Sequence, residues 1–364
     1  MTSSLRTFNF LEPLSEGKNN EKEWTMDILN RKGRQYRAIY PFIIILIGIF
    51  LFSFAVGRYP IDIITLLKVL GSKAFPIEKT WSDTVEVVVF QVRLPRIMGA
   101  MLVGSALSLS GAVYQGMFKN PLVSPDILGV SAGAAFGAAL AIFLSFNTAG
   151  IQLMAFCFGI LAVALVYFIS QRIKADPLIS LVIIGILIGS IFNSFVSLIK
   201  YMADTEDKLP AITFWLMGSL SGIMPKDIKN ISIPILLGMA PLFLLRWDLN
   251  VLSLDEDEAK SLGLDTGRIR FIVIICSTLM TAAAVSVSGI IGWIGLVIPH
   301  LGRLLVGPDY RLLIPTTILL GSSYLLLIDN IARALTTVEI PLGILTSLIG
   351  APFFIFLLLN RGRS

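Results

Sequence analysis

Arg93-Leu-Pro-Arg96 sets two cations astride a proline, and Arg333 stands near the end of a distant apolar run. Guanidinium groups at a rim do electrostatic work: they steer and orient an acidic partner, or snorkel against lipid headgroups. Bond-making chemistry has less to stand on. The GxxxxGK[ST] loop that cradles phosphates is absent, so the chain does not hydrolyse ATP by itself. His300 is the single histidine, and no acid or serine stands at catalytic spacing from it. It reads as structural. Cys157 and Cys276 lie in separate apolar runs without metal or disulfide spacing, and read as small core residues.

These residues sit in a chain of 364 residues, 55% hydrophobic and 15% charged, with a mean hydropathy of +0.83. That balance identifies an all-α integral membrane protein, because the apolar runs are long and continuous rather than alternating. Spans are expected at about 40–57, 95–118, 127–146, 150–171, 178–201, 231–246, 270–288, 290–306, 312–331 and 340–360, about ten in all. The second of these, starting near Pro95, carries Gly104, Ser108, Gly111 and Gln115 on one stripe, small enough for a neighbouring helix to approach closely. Residues 210–222 are too few to cross and too apolar for open water, so they are expected as a short helix in the interface.

Two regions follow: an N-terminal tail over 1–39, cytoplasmic and partly disordered, and a membrane domain over 40–364. With the tail inside, most of the 29 lysines and arginines fall on the cytoplasmic side, which places both termini in the cytoplasm and Arg93, Arg96 and Arg333 on the outer face. The formal charge of +5 is then explained by loops facing anionic lipid, and nucleic acid is not needed as a partner. No Asp, Glu, Lys or Arg sits at an expected midplane, which argues against an ion-coupled carrier; the lack of a catalytic pair argues against a membrane enzyme.

The cytoplasmic loop at about 247–268 stands out. Ser253 and Glu256 have capping-box spacing, Asp255 to Glu258 suit a helix N-terminus, and Gly263 is a natural stop. A short helix is expected there, and a chain without a motor must touch one.

Six stretches in order resemble the membrane permeases of binding-protein-dependent ABC importers for iron-siderophores, haem and vitamin B12. They are Arg93-Leu-Pro-Arg96, Ser110-Gly-Ala-Val-Tyr-Gln115, Asn120 to Ser131, Phe214-Trp-Leu-Met-Gly-Ser219, Gly295-Leu-Val-Ile-Pro-His300 and Leu342 to Pro352. The resemblance covers about residues 40–361 and implies the ten-helix permease fold of the type II importers. It implies a non-catalytic subunit that pairs with a second permease, identical or paralogous, and rests on two ATPase subunits. ATP and magnesium would bind those ATPases and no cofactor would bind this chain. It also implies that Arg93, Arg96 and Arg333 receive glutamates of a substrate-binding protein. Asn120, Leu122 and Ser180 would line the cytoplasmic gate. Ser253, Leu254, Asp255, Glu256, Glu258, Ala259, Leu262 and Gly263 would form the coupling segment on the ATPase. The implied cargo is a ferric siderophore, with haem or vitamin B12 as alternatives; Asp176-Pro-Leu-Ile departs from the hydroxyl-rich vitamin B12 version.

Overall fold

Several helices in this chain start where an acidic or amide side chain meets an apolar run. Asp176 accepts from the amides of Leu178 and Ile179 ahead of Pro177, Asn147 from Gly150, Asp265 from Arg268 and Asp309 from Arg311. Each satisfies amides that a helix start leaves without an intrahelical acceptor. The computed structural model describes residues 39–361 apart from positions 58, 74 and 337, so the expected tail lies, except for Ile39, outside the described residues.

Among the described residues fourteen α-helices result: α1 Tyr40–Ala55, α2 Ile63–Gly71, α3 Asp83–Met117, α4 Val130–Phe143, α5 Thr148–Ser170, α6 Pro177–Met202, α7 Lys208–Met217, α8 Pro225–Leu244, α9 Arg246–Leu252, α10 Glu256–Ser261, α11 Thr266–Ser288, α12 Ile294–Val306, α13 Tyr310–Ala334 and α14 Leu342–Arg361. Six of them, α3, α5, α6, α8, α11 and α13, are long and apolar enough to cross a bilayer. The other four expected spans coincide with the shorter apolar helices α1, α4, α12 and the Leu342–Phe356 part of α14. The expected interfacial helix is α7.

One boundary differs in kind. The second span does not begin at Pro95 but continues back to Asp83 through a π turn at Val88–Arg93. The widened turn just before the proline absorbs its missing N–H and the clash of its ring, so the helix runs on.

At the centre is α3: 83% of its most apolar window is buried inside the bundle, against 33% for α5 and for α6, which therefore lie at the perimeter. Its small-residue stripe is the contact face. A Cβ on Gly104 would stand 2.2 Å from the carbonyl oxygen of Gly321 in α13, and one on Gly111 would stand 1.8 Å from that of Gly295 in α12. Between them the Ser108 hydroxyl donates to the Thr317 carbonyl at 2.8 Å, and one turn beyond Gly111 the Gln115 amide nitrogen donates to the Leu296 carbonyl at 3.2 Å. Cys276 is buried as expected, but Cys157 is exposed on the perimeter helix α5, where a thiol tolerates lipid as well as core.

Gly111→Leu has no room against a backbone carbonyl. Overpacking of this kind costs about 1–3 kcal/mol or more. The expected result is a lower unfolding temperature in detergent and a smaller monodisperse fraction on size exclusion; an unchanged melting curve would show that the close approach is dispensable.

Candidate functional site

The two ends of the bundle carry different chemistry. At the rim where α3 starts and α13 stops, the three predicted arginines converge, but they are not an exposed cationic surface. Arg93, Arg96 and Arg333 are 3, 6 and 8% exposed. The Arg96 Nε donates to both oxygens of Asp329, at 2.9 and 3.1 Å, and its Nη1 reaches Glu339 at 2.9 Å. Arg333 pairs with the other side of Asp329 at 3.2 Å. Asp329 is fully buried, and Glu339 keeps 27% of its side chain exposed.

The expectation of free guanidinium groups at this rim is therefore corrected, and the reason lies in α1. That helix ends beneath them with unpaired carbonyls. Arg93 donates to the carbonyls of Phe54 and Tyr59, Arg333 to those of Val56 and Ser53, and the Asn330 amide to the Ser53 hydroxyl at 2.7 Å. Cations at a helix C-terminus answer both the carbonyls and the dipole. A signal for this was present in sequence, since Asp329 and Arg333 stand four residues apart on one helix face.

Beside the arginines, three loops meet through their backbones. The Ser219 amide donates to the Ser288 carbonyl at 2.7 Å and the Leu342 amide to the Gly218 carbonyl at 2.9 Å. Gly218 and Gly289 both take positive φ, +75 and +66°. A Cβ on Gly289 would lie 2.2 Å from the Trp215 carbonyl, and one on Gly343 2.6 Å from that of Met217. At this junction the sequence motifs Phe214 to Ser219 and Leu342 to Pro352 meet through main chain.

At the opposite rim the predicted coupling and gate residues come together. Asn120, Ser253 and Leu254 line one cleft of about 720 Å³, with Arg303, Asp309 and Tyr310 on its walls. Asn120 accepts from the Leu122 amide at 2.9 Å, and Leu122 is 54% exposed. Ser180 does not join them: it is 3% exposed, and Ile179 beside it, at 58%, is the residue left open. Pro177 and the Asp176 cap set the start of α6 so that Ser180 turns into the bundle.

The coupling segment is two helices, not one. Ser253 ends α9, donating back to the Leu249 carbonyl at 3.0 Å, and it forms no capping box with Glu256. Asp255 is the N-cap position of α10, and exposed Glu258 lies in the first turn. Ala259 is buried, Leu262 is 65% exposed, and Gly263 at φ +81° stops the helix with the Leu264 amide donating to the Ala259 carbonyl at 3.1 Å. Glu256 holds Lys260 at 2.9 Å and Arg270 at 3.0 Å, and the two cations, Lys260 foremost, pull its carboxyl down to about 2. The segment is thereby pinned to the base of α11.

The model of one family, the FecCD transport family, matches residues 44–360. The chain belongs to that family. Similar proteins include the molybdate import system permease protein MolB of Haemophilus influenzae, 46% identical over 303 residues that cover 83% of this chain and 89% of that one. A Helicobacter pylori protein described as a permease of an iron chelatin transport system is 41% identical over 276 residues, 76% of this chain and 83% of the other. Among solved structures, a "metal-chelate type ABC transporter" in "an inward-facing conformation" shares 42% identity at a TM-score of 0.80, covering 89% of this chain and 99% of that one. FecCD proteins are non-catalytic permease subunits of ABC importers, with the ATPase on a separate chain. The FecCD identity accounts for the missing phosphate loop and makes this a multi-pass membrane protein.

Asp329→Asn leaves Arg96 and Arg333 without their shared counter-charge. Breaking a buried pair from one side costs about 3–5 kcal/mol. The unfolding temperature in detergent is expected to fall accordingly; an unchanged value would mean that Glu339 alone suffices.

Proposed function

We propose that this FecCD permease carries a ferric siderophore, or a related bulky iron chelate, into the cytoplasm. The arginine rim faces outward and the rim holding α9 and α10 faces the cytoplasm, with both chain termini inside. The lysine and arginine distribution supports that orientation. The cargo reading rests on one observation above the rest, the 42% identity and 0.80 TM-score shared with a metal-chelate type transporter. The 46% identity to a molybdate permease favours a second reading, a small metal oxyanion.

In this reading two ATPase subunits carry ATP and magnesium and grip Ser253 to Gly263, where exposed Leu254 and Leu262 supply apolar contact beside the acidic turn. Asn120 and Leu122 form the inner gate. A second permease covers exposed apolar faces such as that of Ile183, Leu187 and Ile191 on α6. A substrate-binding protein docks on the arginine rim. Because Arg93, Arg96 and Arg333 are already paired or capping, its glutamates reach them by displacing Glu339, the partner left partly exposed. Net charge at that rim is then modest, and docking depends on exchange of partners more than on long-range steering.

Proteoliposomes holding the permease, its ATPase and its binding protein separate the readings. ATP-dependent uptake of an iron-labelled ferric siderophore, undiminished by molybdate, is expected; uptake of labelled molybdate alone would move the cargo to the second reading. Uptake driven by an ion gradient without ATP would overturn both. In the same system, removal of Ser253 to Gly263 is expected to strip the ATPase from the purified complex, and ATPase retained at full stoichiometry would refute the docking segment.

A further inference from the structure

One carboxamide and one carboxylate lock α9 onto the first turn of α13. The Asn250 Nδ2 donates to the Asp309 Oδ1 at 2.8 Å, and the Asn250 Oδ1 accepts from the Tyr310 amide at 2.9 Å. Asp309 also accepts from the Arg311 amide at 2.9 Å, so both residues are spent on holding this junction. The next residue reaches a third helix. Tyr310 is 3% exposed, and its hydroxyl donates to the Ala112 carbonyl at 2.9 Å, in the last turns of α3.

That carbonyl is part of an intact helix, so the phenol adds a bond from outside rather than filling a gap. Gly116 makes the contact possible: a Cβ there would stand 1.9 Å from the Tyr310 hydroxyl and 3.2 Å from the Ser253 hydroxyl. Just beyond it the helix unwinds. Lys119 takes a positive φ of +50°, and the Asn120 amide folds back to the Gln115 carbonyl at 3.1 Å. Ser253 from the coupling segment, Asn120 from the gate and Tyr310 line the same cleft.

We infer that Asn250, Asp309 and Tyr310 form a relay that transmits displacement of α9 to the unwound end of α3, and so to Asn120 and Leu122. The three are positioning residues. Apolar side chains slide past one another with little preference, whereas a hydrogen-bonded junction moves as a unit or breaks. The Asn250 clamp makes α9 and the start of α13 one body, and at this rim the Tyr310 hydroxyl joins that body to the last turns of the gate helix. The Gln115–Arg303 contact, with Arg303 also donating to Ala112 at 3.2 Å, ties α12 into the same turn and keeps the gate end from following α9 through packing alone. The relay rests on the reading that α9 and α10 meet the ATPase.

The test uses the whole permease with its ATPase in nanodiscs and needs no cargo. Leu122→Cys is the reporter, labelled with a membrane-impermeant maleimide with and without ATP, and the chain without that substitution gives the background. ATP is expected to change the labelling rate, and Tyr310→Phe, which removes only a hydroxyl, is expected to shrink that change about fivefold, the shift one neutral hydrogen bond sustains. ATPase binding and hydrolysis should remain as they were. A full ATP response in Tyr310→Phe, no response at position 122 in the reference, or loss of ATPase from Tyr310→Phe would each overturn the relay. ATPase retained by the chain lacking Ser253 to Gly263 would instead overturn the docking reading beneath it.

Discussion

Everything in this bundle depends on how close α3 can come to α12 and α13. In a bilayer, lipid tails are as apolar as leucine, so helices associate through packing and hydrogen bonds rather than through escape from water. Gly104 against Gly321 and Gly111 against Gly295 bring backbone to backbone, and only there do Ser108 and Gln115 reach carbonyls on the neighbouring helices. The same approach sets the positions of both rims. The start of α3 carries Arg93 and Arg96 to Asp329, and its end carries Ala112 and Gly116 to Tyr310.

Charge at the arginine rim follows from that geometry. Once α3 and α13 lie side by side, Asp329 is buried between two guanidinium groups, and an unpaired carboxylate there would be far more costly than a paired one. The carbonyls that close α1 complete the arrangement. What resembles a receptor for acidic groups is, in the isolated chain, already occupied by acidic groups of its own, and Glu339 is the member with access to solvent.

Much of this was legible from residues. Apolar length and continuity gave the spans, and the stripe Gly104, Ser108, Gly111, Gln115 gave the contact face of α3. Gly263 was legible as a stop because left-handed backbone favours glycine. The misreadings came from local rules that tertiary context overrode. Pro95 was taken to open a helix that a π turn carries past it, and Ser253 to open a helix whose predecessor it closes. Ser180 has the right chemistry for a path, but the start of α6 turns it inward. Of the arginine rim only the Asp329–Arg333 spacing was legible; the pairing with Arg96, the α1 carbonyls and the Asn250–Asp309–Tyr310 junction were out of reach, because they join segments far apart in sequence and no periodicity records such pairs.

The meeting of Gly218, Ser219, Ser288, Gly289, Leu342 and Gly343 is made of amides, carbonyls and missing side chains. A closure of that kind is indifferent to side-chain drift in everything around it. Mutation can reshape the walls on either side without loosening the fastening itself, as long as its glycines stay glycines. That gives the scaffold freedom to change what surrounds the junction while keeping the junction itself, and relatives 46 and 41% identical are named for cargoes as unlike as molybdate and iron chelatin.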